Sequence, residues 1–201
     1  MIKQFDILEL LTRRPLSWSA LSSFEWDKQQ WYDRYVLNIK DPPSNAMLFG
    51  KKFGEAAERG EPMAPVTILS KMEYEFRCMF GNIPLLGFAD TFDHVTMHRL
   101  GEYKTAGTAW TQDKVNKHGQ LTMYAMMNLV CNQVLPEECD IFLESVTTVQ
   151  NGDFTVSLKE PTELLHFDTK RTIDDVVAFG ARINRTVKEM ETYARERQGC
   201  A

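Results

Sequence analysis

Two apolar-rich stretches, residues 85–93 and 99–105, are the feature that most restricts how this chain can fold. A short polar segment joins them, and this pattern predicts the two strands of a β-hairpin. If the bend centres near Thr96, Asp90 lies opposite Glu102 on the neighbouring strand. Two carboxylates that face each other across a strand pair repel, and a bound cation is the simplest way to offset that repulsion.

Lys104 follows Glu102 at the next position but one, so its side chain points to the same face of the strand. One patch of the hairpin then holds two acids, Asp90 and Glu102, together with one amine. Acids that bind a divalent cation, with an amine beside them, are the groups needed for metal-assisted attack on a phosphate. Asp90, Glu102 and Lys104 are therefore the candidate catalytic residues.

The bulk properties are those of one domain. A length of 201 residues corresponds to one ordinary domain or one domain with appendages, and 43 % hydrophobic residues are enough for a packed core. We expect a mixed α/β core over about residues 44–150, with helices in 1–43 and a packing helix over 171–197. No repeat or low-complexity linker divides residues 1–201.

Charge and targeting signals narrow the function classes. No apolar run is long enough to span a membrane, and the absence of a signal peptide at the N-terminus favours the cytoplasm. The net charge of −5 argues against a dedicated duplex-binding module, which would usually be basic. It argues less against a nuclease, because a metal site needs acids and its cation restores local positive charge.

The cysteines stand at Cys78, Cys131, Cys139 and Cys200, and none belongs to a C-x-x-C pair. Zinc-finger spacing is missing, and a disulfide framework is not expected in a cytosolic chain of this size. We therefore expect free thiols, with Cys200 on a frayed tail.

A helix is predicted over about residues 44–59, with Glu55 and Glu58 as near neighbours on its surface. These acids form a solvated charged face, or one of them leans over the metal patch, and spacing alone does not decide between the two readings. A strand is predicted next, over residues 66–80.

A further helix is predicted over about residues 111–131, beginning at a threonine cap. Gln120 and Tyr124 are four positions apart and share one face of this helix. Lys114 and Lys117 make its first half basic, close to the candidate catalytic lysine, which favours an anionic ligand there.

Aromatic residues crowd one early stretch, at Trp26, Trp31, Tyr32 and Tyr35. They are either an aromatic core seam or a surface on which nucleic-acid bases stack. We favour the core seam, because aromatics at helical spacing are usually buried.

Together these residues resemble the PD-(D/E)XK nuclease superfamily, and within it the RecB-like exonuclease branch. That branch is related to the CRISPR adaptation nucleases and the lambda-type exonucleases. The motifs that carry the resemblance are Gly87-x-x-Asp90, Glu102-Tyr103-Lys104-Thr105 and Gln120-x-x-x-Tyr124. A lone E-x-K motif is weak, but the preceding acid on the hairpin partner and the following Gln/Tyr helix make the combination fairly specific.

The resemblance implies a restriction-endonuclease-like core, which is a central mixed β-sheet of four or more strands flanked by helices. It implies that Asp90, Glu102 and the backbone carbonyl of Tyr103 bind Mg²⁺ or Mn²⁺. Oxygen ligands are also what a hard cation prefers. Lys104 would orient the attacking water and offset charge on the phosphate.

The activity that the resemblance implies is metal-dependent hydrolysis of phosphodiester bonds in DNA, with exonuclease action as its finer form. Gln120 and Tyr124 would steady the DNA strand or the surroundings of the catalytic lysine, and Lys114 and Lys117 would contact DNA. DNA is the expected partner, and a homo-oligomer or a recombination protein would be a further one. Repair, recombination and phage DNA processing are the processes in which such an enzyme acts.

This chain departs from the branch in two places. Many members place a metal-binding histidine in the early helix, where Gly54 stands here, and Glu58 or Glu55 would have to replace it. Some members carry an iron–sulfur cluster on four cysteines. Trp26 and Asp27 occupy the region of the first of these, and no cysteine triplet follows near the C-terminus, so we expect no iron–sulfur cluster.

Two rival readings remain open. The missing histidine and the acidic charge are also compatible with a catalytically inactive nucleic-acid-binding or assembly subunit on the same fold. His94 and His98 are four positions apart and suggest a zinc site, but they lie in a bend and no thiol pair completes the ligand set.

Overall fold

The computed structural model describes residues 5–199. Its helices are α1 (Ile7–Arg13), α2 (Trp18–Trp26), α3 (Lys28–Trp31), α4 (Asn45–Glu58), α5 (Gln112–Asn116), α6 (Gly119–Asn132) and α7 (Ile173–Arg197). Its strands are β1 (Lys71–Phe80), β2 (Ile83–Phe92), β3 (Arg99–Ala106), β4 (Asp140–Gln150), β5 (Val156–Leu158) and β6 (Leu164–Thr169). A π-helical turn, Tyr32–Val36, continues α3, and a 3₁₀ turn, Pro136–Glu138, leads into β4.

The strands form one mixed sheet. β1, β2 and β3 are successive antiparallel neighbours, and β3 pairs in parallel with β4. The parallel pair needs a crossover connection, which α5 and α6 provide. β5 and β6 both pair antiparallel with β4, along different parts of its length. The predicted mixed sheet of four or more strands flanked by helices is thus confirmed, with six strands in the described range.

The larger core lies between the sheet and α6. Leu121, Met123, Tyr124 and Met127 are buried on several sides of this helix, which packs against β1, β2, α2 and α7. A helix with apolar residues on all sides is stable only inside a protein. α6 is therefore an interior helix, enclosed by the sheet and by α2 and α7. It also carries Gln120 toward the strands.

A smaller core lies where α4 packs against the sheet. Phe49 and Phe53 of α4 meet Tyr103, Phe142 and Val146 from β3 and β4. The edge of the Phe53 ring faces the Tyr103 ring at a centroid distance of 6.5 Å. α4 is thereby held over the middle of the sheet, beside the hairpin formed by β2 and β3.

The predicted helix over 111–131 is wrong in one respect, because it is two helices, α5 and α6, with a break before Gly119. A Cβ at Gly119 would lie 2.5 Å from the Trp18 ring, so the chain can pass there only as glycine. The predicted strand over 66–80 also begins late, at Lys71. The amides of Thr67 and Leu69 donate to the side chains of Glu144 and Thr91 instead of to a strand.

The aromatic stretch is confirmed as a core seam for Trp31, Tyr32 and Tyr35, which are buried. The prediction of a core seam is wrong for Trp26, the last residue of α2, whose side chain is 89 % exposed. None of the described helices is long and apolar enough to cross a membrane. Cys78, Cys131 and Cys139 are free thiols, as predicted, and Cys200 lies outside the described residues.

Candidate active site

The hairpin of β2 and β3 brings the two predicted acids together. Thr91 pairs with Gly101 and Phe92 with Leu100, so Asp90 and Glu102 are the next two residues in the same register. Regular pairing ends there, and the amide of Tyr103 donates to Asp90 Oδ2 over 2.5 Å. The register therefore places two carboxylates at the point where the two strands separate.

A closed ring of hydrogen bonds surrounds Glu102, whose side chain is buried. Lys104 Nζ donates to Glu102 Oε1 over 2.5 Å and to Gln120 Oε1 over 2.9 Å. Gln120 Nε2 donates to the Tyr124 hydroxyl over 2.7 Å, and that hydroxyl lies 3.2 Å from Glu102 Oε2. It also contacts the carbonyl of Phe88. The ring fixes the positions of the lysine and the glutamate relative to each other.

Burial and neighbouring charges shift the pKa values of Asp90 and Lys104. Burial and the charge of Glu102 raise the pKa of Asp90 well above its usual range, although the Tyr103 amide and Lys104 act in the opposite direction. Burial alone would lower the pKa of Lys104, but the charge and hydrogen bond of Glu102 outweigh it and raise that pKa. Lys104 therefore stays protonated, and a single ammonium group faces the two carboxyl groups of Asp90 and Glu102, which repel each other when both are charged.

A cleft of about 360 Å³ opens beside these residues, between α4 and the ends of β2 and β3. Asp90 and Lys104 line it from the strands, and Gly50 and Gly54 line it from α4. The two glycines are one helical turn apart, so this face of α4 carries no side chain at either position. A Cβ at Gly50 would lie only 3.2 Å from the Thr105 hydroxyl oxygen, which shows how close the helix comes.

The two acids predicted to replace a histidine at Gly54 are placed differently from each other. Glu55 faces the side of α4 that lies toward β5, where Lys51 Nζ is 3.7 Å from its carboxylate. This position excludes Glu55 from the cleft. Glu58 is the exposed last residue of α4, one turn beyond Gly54.

A third acid that the sequence reading did not include lies between α4 and the hairpin. Glu73 of β1 falls opposite Asp90 in register, since Met72 pairs with Thr91 and Tyr74 with Ala89. A Cβ at Gly54 would lie 3.9 Å from Glu73 Oε1. Partial burial, with the charges of Glu58 and Glu102, raises the pKa of Glu73.

The donor set here suits a hard divalent cation in its chemistry. Asp90, Glu102 and the Tyr103 carbonyl would offer oxygen atoms only, as Mg²⁺ and Mn²⁺ prefer. The repulsion between the carboxylates of Asp90 and Glu102 is the second feature that fits a cation. Over residues 5–199, however, no three His, Cys, Asp or Glu side chains are already grouped to hold a metal ion. Glu102 is turned toward Lys104 and Tyr124 instead.

The basic residues predicted to contact DNA lie around the start of α6. Lys117 pairs with Asp113 over 2.8 Å, and the Lys114 ammonium sits 4.0 Å above the centre of the Trp110 ring. Next to them His118 packs between Trp110 and Trp18. Both lysines remain exposed near the site.

His118 is a neutral neighbour of Lys104. Burial, followed by the charges of Lys104 and Lys114, lowers the pKa of His118 to about 4. An uncharged imidazole adds no positive charge here, so at neutral pH the positive charges around it are those of Lys104, Lys114 and Arg171.

The two histidines of the alternative zinc reading have other partners. His94 Nδ1 lies 2.9 Å from the Ser70 hydroxyl oxygen, and His98 Nδ1 contacts the carbonyl of Thr96. Neither belongs to a group of three ligands within the described part of the chain. The zinc reading is therefore not supported.

Comparison with known proteins supports the fold alone. No protein-family description matches the sequence, and no curated protein matches it significantly. A crystal structure from Eubacterium rectale, of a protein named "Putative exonuclease", superposes with a TM-score of 0.56 at 11 % identity. The match covers 96 % of this chain and 85 % of the other. The chain thus has a nuclease-like fold, in agreement with the predicted fold class.

Proposed function

We propose that this protein is a metal-dependent nuclease that hydrolyses phosphodiester bonds in DNA, with exonuclease action as the finer form of the proposal. The observation that carries it is the hairpin register, which sets Asp90 beside Glu102 and ties Lys104 to Glu102 at the edge of a cleft. The fold shared with a protein named as an exonuclease is a second, weaker support.

Asp90, Glu102 and the carbonyl of Tyr103 would hold Mg²⁺ or Mn²⁺. When bound, such a cation polarises a phosphoryl oxygen and lowers the pKa of a coordinated water. Lys104 is the group that acts on the phosphate from the protein side. Because its ammonium group stays protonated, it serves as a fixed positive charge and hydrogen-bond donor rather than as a base.

In this proposal Gln120 and Tyr124 steady the surroundings of Lys104 rather than the DNA strand. Tyr124 is only 2 % exposed and its hydroxyl already has protein partners, so direct contact between this side chain and DNA does not fit its position. Gln120 accepts from Lys104 and holds its ammonium group toward the cleft. Lys114 and Lys117 remain the proposed contacts to the DNA backbone, because exposed lysines can neutralise phosphates.

Replacing Lys104 tests the proposal directly. We expect Lys104→Ala to cut labelled DNA about 10²–10³-fold more slowly in Mn²⁺, as when one transition-state donor is removed from other hydrolases. Lys188→Ala is the matched control, since Lys188 is an exposed lysine on α7, away from the cleft. Calorimetry must show that Lys104→Ala still binds Mn²⁺. Undiminished cleavage by that variant would disprove the assignment.

The alternative, a catalytically inactive nucleic-acid-binding or assembly subunit, draws on one observation. No three metal-ligating side chains are grouped in residues 5–199. Purified protein that binds single- and double-stranded DNA but cleaves neither in Mn²⁺ or Mg²⁺ would favour this alternative.

A further inference from the structure

Glu73 stands opposite Asp90 in the pairing of β1 with β2. Pairing is regular on both sides, with Met72 opposite Thr91 and Tyr74 opposite Ala89, yet Glu73 and Asp90 are not joined. The two carboxylates therefore face each other across a local opening in the sheet. The opening lies in the strand pair next to the one that brings Glu102 to Asp90.

The backbone at Glu73 explains this opening. Its φ angle is +47°, in the left-handed region that side chains other than glycine, asparagine and aspartate seldom adopt. A glutamate held there inside a strand costs stability, and such conformations cluster at functional sites. The left-handed residue interrupts the ladder of β1 and β2 at this one position.

The Glu73 carboxylate lies toward the cleft. Its Oε1 atom is 3.9 Å from where a Cβ would stand at Gly54, and Gly54 lines the cleft beside Asp90. A glycine at this helical position leaves the space into which the carboxylate extends. Glu58 and Glu102 are both close enough for their charges to raise the pKa of Glu73, and the charge of Glu73 in turn acts on Asp90.

We propose that Glu73 is the third carboxylate of the divalent-cation site, in the role that the sequence reading assigned to Glu58 or Glu55. This inference rests on the proposed nuclease function and adds one ligand to it, from β1 rather than from α4. Glu58, the exposed last residue of α4, is close enough for its charge to act on Glu73 but is assigned no ligand role.

Mn²⁺ binding to the metal-free full-length chain, measured by isothermal titration calorimetry, tests the inference without any reference to activity. We expect Glu73→Gln to weaken Mn²⁺ binding by about 10-fold or more, and Glu58→Gln by less than about 3-fold. Glu75→Gln is the matched control. Glu75 is an exposed glutamate on the same strand, paired with Arg77 over 2.9 Å, and its replacement should leave the affinity unchanged.

A second variant separates ligation from folding. Glycine adopts a φ angle of +47° without strain. We therefore expect Glu73→Gly to unfold at a temperature no lower than the parent and still to lose Mn²⁺ affinity. A glutamate with only a structural role would not show this combination, and the variant carries the test if Glu73→Gln folds poorly.

The outcomes distinguish the two proposals. If Asp90→Asn abolishes Mn²⁺ binding while both Glu73 variants keep the parental affinity, the role of Glu73 is disproved and the nuclease proposal stands. If the parent itself takes up no Mn²⁺ or Mg²⁺, the metal site fails as a whole, and the role of Glu73 fails with it.

Discussion

Two buried glutamates lie on neighbouring strands of this sheet and have opposite surroundings. Glu102 of β3 lies on the face toward α6, and Glu144 of β4 lies on the other face, because it pairs in register with Tyr103. Both are almost fully buried, at 4 % and 2 % exposure. Burial alone therefore does not tell a functional acid from a structural one.

The difference lies in how completely each carboxylate is satisfied. Glu144 accepts from the Thr67 amide over 2.7 Å and from the Thr67 hydroxyl over 2.6 Å, and it lies 2.9 Å from His166 Nδ1. Glu102 has a lysine partner but faces a second carboxylate, Asp90. The contrast teaches that a candidate site is marked by carboxylates that repel each other, whereas a structural acid is satisfied by hydrogen bonds from its partners.

The largest expected effect is a loss of stability on replacing Glu144, the acid whose hydrogen bonds are satisfied. Glu144→Ala removes the acceptor for two donors of Thr67 and the partner of His166, and leaves these partly buried donors without that acceptor. We expect it to lower the free energy of unfolding by about 3 kcal/mol in urea titration. Cleavage by the remaining folded protein should be close to that of the parent.

Glu75→Ala is the control for this loss, because Glu75 makes only an exposed ion pair with Arg77. Exposed pairs contribute about 0–1 kcal/mol. If Glu144→Ala costs no more stability than Glu75→Ala, Glu144 is not the structural acid that its contrast with Glu102 requires.

The sequence was sufficient to predict the site where local rules determine it. The bend near Thr96 sets the register of the hairpin, and alternation puts Lys104 on the face of Glu102. The helical spacing of Gln120 and Tyr124 brings Gln120 to Lys104 and Tyr124 to Glu102. These relations depend on neighbours in one hairpin or one helix, which a single sequence records.

Features that depend on tertiary contacts were not predicted. The Trp18 ring, about a hundred residues earlier in the chain, leaves no room for a side chain at Gly119, where α6 begins. The backbone at Thr67 is irregular rather than part of a strand, because its amide donates a hydrogen bond to the side chain of Glu144. Neither partner can be identified from periodicity.

Glu73 is an intermediate case. Gly81–Asn82 is a turn signal in the sequence, and counting back from it places Glu73 opposite Asp90. The signal was therefore present, but regular alternation gave no reason to expect a left-handed residue inside a strand. A search for acids opposite the first motif carboxylate would have found it.

Asp90→Asn sharpens the comparison with an intermediate effect. Because the pKa of Asp90 is raised in the folded protein, this group destabilises the metal-free fold as pH rises above about 4, toward its folded-state pKa. Asparagine removes the charge and still accepts from the Tyr103 amide. In EDTA at pH 7 we expect a gain of about 1 kcal/mol, or roughly 2–4 °C in the unfolding temperature.

In Mn²⁺ the parent should become more stable than Asp90→Asn, because a cation that binds only the folded state stabilises the parent and not the variant. Near pH 4 the difference in EDTA should disappear. An Asp90→Asn protein that is less stable than the parent in EDTA at pH 7 would show that Asp90 is satisfied in the way Glu144 is.

The smallest expected effect concerns the imidazole that completes the partners of Glu144. Burial would lower the pKa of His166, but hydrogen bonds to Glu144 and Asp168 raise it overall. A raised pKa means that the stabilisation is fully present below about pH 6.5 and is lost as pH rises through the folded-state value. Because the His166 side chain is 35 % exposed, we expect His166→Gln to cost less than about 1 kcal/mol, and only at low pH.

Unfolding of the parent and of His166→Gln in urea, at intervals from pH 5.5 to 8.5, measures this contribution. The difference between them should shrink as pH rises, and Asp168→Asn should reduce it partly, because the second hydrogen bond of the imidazole spans 3.2 Å to Asp168. A difference that stays constant or grows with pH would mean that the imidazole acts through packing on Phe142 rather than through charge. Glu144 would then be satisfied by Thr67 alone, and its contrast with Glu102 would rest on neutral hydrogen-bond donors rather than on a compensating cation.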